Sequence, residues 1–330
     1  MAVTQLADVI VPAEFTSYIT ENAVAKSALV QSGIVARNAA IEDQLRAGAA
    51  SFTVPYWKDL GDEEANVASD DPATMATPRK LAAGKQIVRK SFLHGSWSAM
   101  NLASELSGDN ALARIQDRAA AYWTRQAQRR LISSLNGILA DNVANDAGDM
   151  VNDISGGTGA AAQFSAGAVI DTAATLGDSL RDLTAIAMHS STYKAALKAD
   201  LIQTLPDSQG GFIQTFRGLS ILIDDELPVA TGVYTTVLFG QGAFGYGMSA
   251  PRIAAGTEVE NIPGAGNGGG QQVLHSRVNL AIHPLGFQWK EAAVVGDSPT
   301  IAELATATNW DRVATSRKHV PLAFLKHKLA

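Results

Sequence analysis

The sequence predicts an α+β fold built around one long helix, with a two-stranded ribbon reaching away from the body. Three observations carry this. Two strand-like runs, Phe52-Thr53-Val54-Pro55-Tyr56-Trp57 and Gln86-Ile87-Val88-Arg89-Lys90-Ser91-Phe92-Leu93, flank a polar span. That span holds Asp59, Asp62, Glu63, Glu64, Asp70, Asp71, Pro72 and Pro78, and almost no residue able to anchor a core. Helix formers then run from Ala111 to about Asn142 without a proline. Beyond Gly156-Gly157-Thr158-Gly159, short apolar runs alternate with helical ones, the pattern of mixed α/β structure.

In order along the chain, residues 1–45 read as an arm. Pro12-Ala13-Glu14-Phe15 has proline early and an acid in the first turn, a helix start. Phe15, Ile19, Val24 and Leu29 are too few for a separate core, so the arm must pack on something larger. Residues 46–97 form the ribbon. Most connections in compact domains span roughly 4–6 residues, and an isolated two-stranded hairpin is marginal in water. A projecting one therefore needs a surface to lie on, most simply another copy of the chain.

Ser107-Gly108-Asp109-Asn110 supplies N-cap residues for the long helix. Leu112, Ile115, Ala119, Tyr122 and Trp123 mark its first apolar face, and Leu131, Leu135, Ile138 and Leu139 a second one, rotated from the first. Its length would be roughly 45–50 Å at about 1.5 Å per residue, which suits a strut. A helix is expected over 166–182, a strand at Ala185-Ile186-Ala187-Met188 and a helix over 190–199. Strands follow at 219–223, 234–239 and 273–289, the last interrupted by His283-Pro284 because proline cannot donate to a ladder.

Composition narrows the function classes. The chain has 330 residues, enough for a large core and more than one lobe, and a net charge of -6 with no basic tail. Alanine and glycine are abundant and aromatics scarce, which suits a thin, extended molecule. With no cysteine there are no disulfides and no Cys-ligated zinc, in keeping with a reducing compartment. The start lacks the basic and apolar regions of a signal peptide, and no run approaches the roughly 20 apolar residues of a membrane helix. A soluble, intracellularly made protein with no membrane partner is expected.

No active site emerges. Gly240-Gln241-Gly242-Ala243-Phe244-Gly245 matches G-x-G-x-x-G after a strand, with Glu260 at a suitable distance. A dinucleotide site also needs a helix directly afterwards. Tyr246-Gly247-Met248-Ser249-Ala250-Pro251 will not propagate one, so a strand-to-loop junction is the simpler reading. The six histidines show no ligand spacing. Asp224-Asp225-Glu226 could hold a cation, though a polar turn after a buried strand explains it. Gly95-Ser96-Trp97-Ser98 lacks the last glycine of a nucleophile elbow. No catalytic residue, metal or cofactor is expected. Arg114, Arg118, Arg125 and Arg129 share one side of the long helix, either as a solvated face pairing with acids on a neighbour or as a face toward packaged nucleic acid.

Taken together these segments resemble a tailed-bacteriophage major capsid protein of the HK97-type fold. The most specific matches are Ala187-Met188-His189-Ser190-Ser191-Thr192-Tyr193 with Leu197, and Gly218-Leu219-Ser220-Ile221-Leu222-Ile223-Asp224-Asp225-Glu226-Leu227-Pro228. Tyr234 through Ala243, His283-Pro284-Leu285-Gly286-Phe287-Gln288-Trp289 and Asn309-Trp310 add to them. The resemblance covers nearly the whole chain. It implies an N-terminal arm (1–45), an E-loop hairpin (46–97), a P-domain with the spine helix and a C-terminal extension (98–160 and 276–330) and an axial A-domain (161–275).

By the same resemblance, the protein assembles with itself through hexamers and pentamers into an icosahedral virion shell around dsDNA, held without sequence preference. Assembly is expected in the host cytoplasm. Since no long scaffolding extension is visible, a separate scaffolding protein or an alternative assembly route is implied, with a portal and an optional decoration protein. Expected subunit contacts are Phe15, Trp57, Glu63, Glu64, Asp70, Asp71 and Phe92, with Trp57, Phe92 and Leu93 also anchoring the hairpin base to the body. An encapsulin-like nanocompartment and a nucleotide-binding enzyme using the Gly240 loop are the alternatives.

Overall fold

The computed structural model describes Leu29, residues 34–37, residues 39–58, Leu60 and residues 64–206 and 212–329. Phe15, Glu63 and the helix start at Pro12 lie outside the described residues.

The long helix α3 (Ala111–Asn145) runs for 35 residues, or about 52 Å at the standard rise. It follows β1 (Val35–Arg37), α1 (Ala39–Arg46), β2 (Ser51–Trp57), β3 (Ala83–Arg89), β4 (Ser91–Met100) and α2 (Asn101–Ser107). Asn110 caps α3, its Oδ1 accepting the Ala113 N–H at 3.1 Å. The first half of α3 buries a narrow stripe containing Leu112 and Trp123, whereas the second half, from Ala127 to Asn142, is buried nearly all round. That change follows its sequence: arginines and glutamines give way to Leu131, Ile132, Leu135, Ile138 and Leu139.

Two sheets flank this buried half. In the first, β14 (Gln271–Pro284) pairs along one edge with β4, and along the other with β13 (Thr257–Ile262) and then β12 (Phe244–Ser249). β1 adds to β12 in parallel. In the second, the order is β5 (Val151–Asp153), β17 (Leu322–Lys328), β11 (Val233–Gly240), β6 (Leu183–Met188), β9 (Leu219–Ile223), β8 (Phe212–Phe216) and β7 (Gln203–Pro206), with β10 (Val229–Ala230) beside β11.

The central strands of the second sheet show period-two sorting between two cores. Ala185, Ala187, Val237, Phe239, Leu322 and Phe324 point into the core shared with α3 and the first sheet. Ile186, Met188, Leu238, Ala323 and Leu325 point into the opposite core, under α4 (Ala166–Ala173). A strand covered on both faces reads as a continuous apolar run, which these are. β17 lies in the middle of the second sheet, and β13 belongs with β14 and β4. The expected helix over 166–182 is α4 followed by a 3₁₀ stretch that bends at Gly177, where φ is +64°.

Candidate assembly surfaces

β2 and β3 pair antiparallel from Ser51–Arg89 to Trp57–Ala83. The residues described between them are exposed throughout. The Lys58 N–H donates to the Ala82 carbonyl at 2.8 Å, Asp71 closes a small turn by accepting the Ala73 N–H at 2.9 Å, and the Arg79 guanidinium donates to the Glu64 carbonyl. These bonds tie the loop to itself. None reaches the body of the subunit.

The hairpin's apolar side chains point two ways. Phe52, Val54 and Tyr56 alternate inward, while Thr53, Pro55 and Trp57 face outward. Trp57 is therefore 71% exposed and Phe92 45% exposed, so neither ring anchors the base to its own body, contrary to the expectation from sequence. Leu93 does pack against the core. The anchoring falls to other groups. Val88 joins Ile41, Leu45 and Ala281 in a small cluster beneath the ribbon. Tyr56 Oη donates to the Val313 carbonyl at 3.1 Å, and the Phe92 N–H donates to Ser298 Oγ at 2.8 Å. Arg89 pairs with Glu291 at 2.9 Å and donates to the Asp297 carbonyl at 2.8 Å.

Lys90 separates β3 from β4, a break the sequence reading ran through as one strand. Its side chain is fully buried, with Nζ donating to the Ala47 carbonyl at 2.8 Å beside the Phe52 ring, and burial lowers its pKa. The segment 289–299 that holds the hairpin base was not singled out from sequence. It contacts residues some 200 positions earlier, a relationship that no local pattern encodes.

Beyond the ribbon, Trp57, Leu60, Val67, Met75 and Leu81 leave apolar side chains in solvent along one projection. Glu64, Asp70 and Asp71 are exposed on the same loop. Single exposed apolar residues are ordinary, but a series on one polar projection marks a contact surface.

The four arginines divide. Arg114 pairs with Asp109 at 3.0 Å and Arg129 with Glu226 at 3.1 Å, both within the chain. Among the described residues, Arg118 and Arg125 have no acidic partner within ion-pair distance. The acidic turn after β9 is structural. Asp224 accepts from Gln128 of α3 and from the Glu226 N–H, and Asp225 accepts the first N–H of α5 (Ser190–Lys198) at 3.1 Å. Burial raises the Asp224 pKa. Three acids turned to three different partners do not form a cation cage.

Gly240 ends β11 and β12 begins at Phe244, so a turn between two strands occupies the G-x-G-x-x-G match. Its last glycine and the next have packing reasons: a Cβ on Gly245 or Gly247 would come within 2.8 or 2.9 Å of Ile41 on α1. Among the described residues there is no group of three or more metal-ligating side chains, and no helix is long and apolar enough to cross a membrane.

A family model described as "Gp13-like: Major capsid protein 13-like" matches residues 97–321. The chain is 36% identical to the major capsid protein of Bacillus phage SPP1, over all of this chain and 99% of that one. The chain belongs to the Gp13-like major capsid proteins. As such it is a structural protein of a bacteriophage virion and not an enzyme, and copies of it form the capsid shell. Solved shells agree at the level of fold. The cyanophage Pam1 capsid aligns with a TM-score of 0.62 at 11% identity, covering 99% of this chain and 98% of that one. The holo-SrpI encapsulin complex from Synechococcus elongatus PCC 7942 aligns at 0.54 and 9%, covering 98% and 95%. The HK97-like fold alone therefore fits either kind of shell, and the full-length identity to a phage capsid protein decides between them.

Proposed function

We propose that the hairpin is an E-loop that lies across a neighbouring copy, and that this overlap joins subunits into hexamers and pentamers of an icosahedral head. Support comes chiefly from its projection, which carries exposed Trp57, Val67 and Met75 and is exposed at every described residue from Lys58 to Ala82. Trp57 and Phe92 supply apolar contacts, while Glu64, Asp70 and Asp71 meet basic side chains of the adjacent copy. Phe15 and Glu63 belong to the same contact set.

The division of labour follows: residues 1–45 as arm, 46–97 as E-loop, 98–160 with the returning 276–330 segment as P-domain, and 161–275 as A-domain. Closed shells of identical chains use heterologous contacts that close by rotation. Long overlapping elements suit that geometry because each spreads one subunit over another. The shell encloses dsDNA, toward which Arg118 and Arg125, without an acidic partner among the described residues, give a sequence-independent positive face, with Arg114 and Arg129 beside them. Assembly takes place in the host cytoplasm with a separate scaffolding protein and a portal, and the outside of the shell is open to a decoration protein.

Replacing residues 58–82 by a two-residue turn tests the overlap. The expected product is a folded subunit that forms no shells in electron micrographs. Normal particles from that deletion would overturn the assignment.

A further inference from the structure

Between the hairpin base, α3, β14 and the 289–310 segment lies a cavity of about 20 Å³ lined by Arg89, Ser91, Arg130, His283, Trp289 and Trp310, among others. Three of these residues carry a buried N–H with no acceptor: Arg89 Nε, Arg130 Nε and Trp289 Nε1. The side chain of Arg89 is 8% exposed, Arg130 is 8% exposed and Trp289 3%. Buried donors in folded proteins nearly always have a partner, so three of them around one cavity point to a ligand that accepts hydrogen bonds.

Charge narrows the ligand further. Glu291 neutralises Arg89 at 2.9 Å. Among the described residues Arg130 has no acidic partner; its Nη1 donates to Ser91 Oγ at 3.1 Å and to the Pro299 carbonyl at 2.8 Å, both neutral. None of the described residues lining the cavity is acidic; His283 bonds to Gln86 and Trp310 donates to the Leu304 carbonyl. A buried, unpaired guanidinium is costly unless an opposite charge meets it.

We propose that this cavity is a binding site for a small monovalent inorganic anion, with chloride as the natural occupant. A water molecule would satisfy the N–H groups but leave the charge of Arg130 unmet. Phosphate or a nucleotide exceeds the space, which suits about one water or one monatomic ion. Burial also brings the Arg130 pKa down to about 10, against a weaker opposing effect of Tyr122. Because Arg89 lies on the hairpin, Arg130 on α3 and Trp289 on the segment that grips the hairpin base, the anion would clamp three separate parts of the subunit.

The test uses the full-length protein in whichever assembled state it is purified. Its thermal midpoint is compared in sodium chloride and sodium gluconate at equal ionic strength. A saturating rise in chloride, on the order of 2 °C, is expected from ligand linkage. Trp289→Phe removes one donor and keeps an aromatic ring, and Arg130→Met removes the charge; both should lose most of the chloride response. Should Arg130→Met fail to fold, chloride-35 NMR decides with the other pair: the wild-type protein broadens the line and Trp289→Phe broadens it less. Equal wild-type midpoints in the two salts would overturn the site, as would an undiminished response or equal broadening in Trp289→Phe. Those outcomes would leave water or a neighbour's carboxylate as the occupant.

Discussion

His283 sits fully buried at the end of β14, with Nε2 3.3 Å from Gln86 Oε1 on the hairpin. Burial pushes its pKa from 6.5 down to about 4, against a weaker opposing effect of a backbone hydrogen bond with Phe287. The unfolded chain takes up a proton there near pH 6.5, while the folded chain resists until about pH 4. Between those values the unfolded state binds more protons, so stability falls as pH falls. The loss would reach about 3 kcal/mol at the low end of the window. His283→Gln should flatten the decline in thermal midpoint between pH 7 and pH 5 relative to wild type; an unchanged slope would show that the imidazole is not its source. The outward placement of Trp57 was legible in principle, because strict alternation from Phe52 assigns it to the solvent side. Arg130 was hidden by its setting, one residue beyond the arginines of the exposed face, where only the packed structure separates a buried guanidinium from a solvated one.

At the scale of elements, α3 was the most legible part of the chain. Its Asn110 cap, its proline-free run and its rotated apolar faces all lie within one stretch of sequence. The hairpin strands were equally visible. What could not be read was pairing between distant segments: β17 with β11, or α1 against the glycines of β12. The same limit hid the reason for Gly137 on α3, where a Cβ would come 2.2 Å from the Leu304 carbonyl oxygen and 2.5 Å from Trp310 Nε1. That glycine lets α6 (Ile301–Leu304) and Trp310 sit directly on the helix. Although alanine is the better helix former, Gly137→Ala should destabilise by about 1–3 kcal/mol through overpacking. Chemical denaturation would check this. A neutral or stabilising result would mean the C-terminal segment can shift away from α3 at little cost.

For the whole molecule, the two sheets and α3 share one core, so the body is complete within a single copy. The ribbon is not. The bonds from Lys58 and Arg79 and the turn at Asp71 close on the loop, and Trp57, Val67 and Met75 stand exposed on it with Glu64, Asp70 and Asp71. Charge reversal at Asp70 and Asp71 to lysine should therefore leave the thermal midpoint of the isolated subunit unchanged while lowering particle yield several-fold in micrographs. Equal yield would remove those acids from the contact. A cryo-EM map of the assembled particle tests the central claim most directly. The overlap predicts density for residues 64–82 seated on an adjacent subunit, with Trp57 covered by that neighbour. Density folded back onto the parent body, leaving the neighbour untouched, would contradict it.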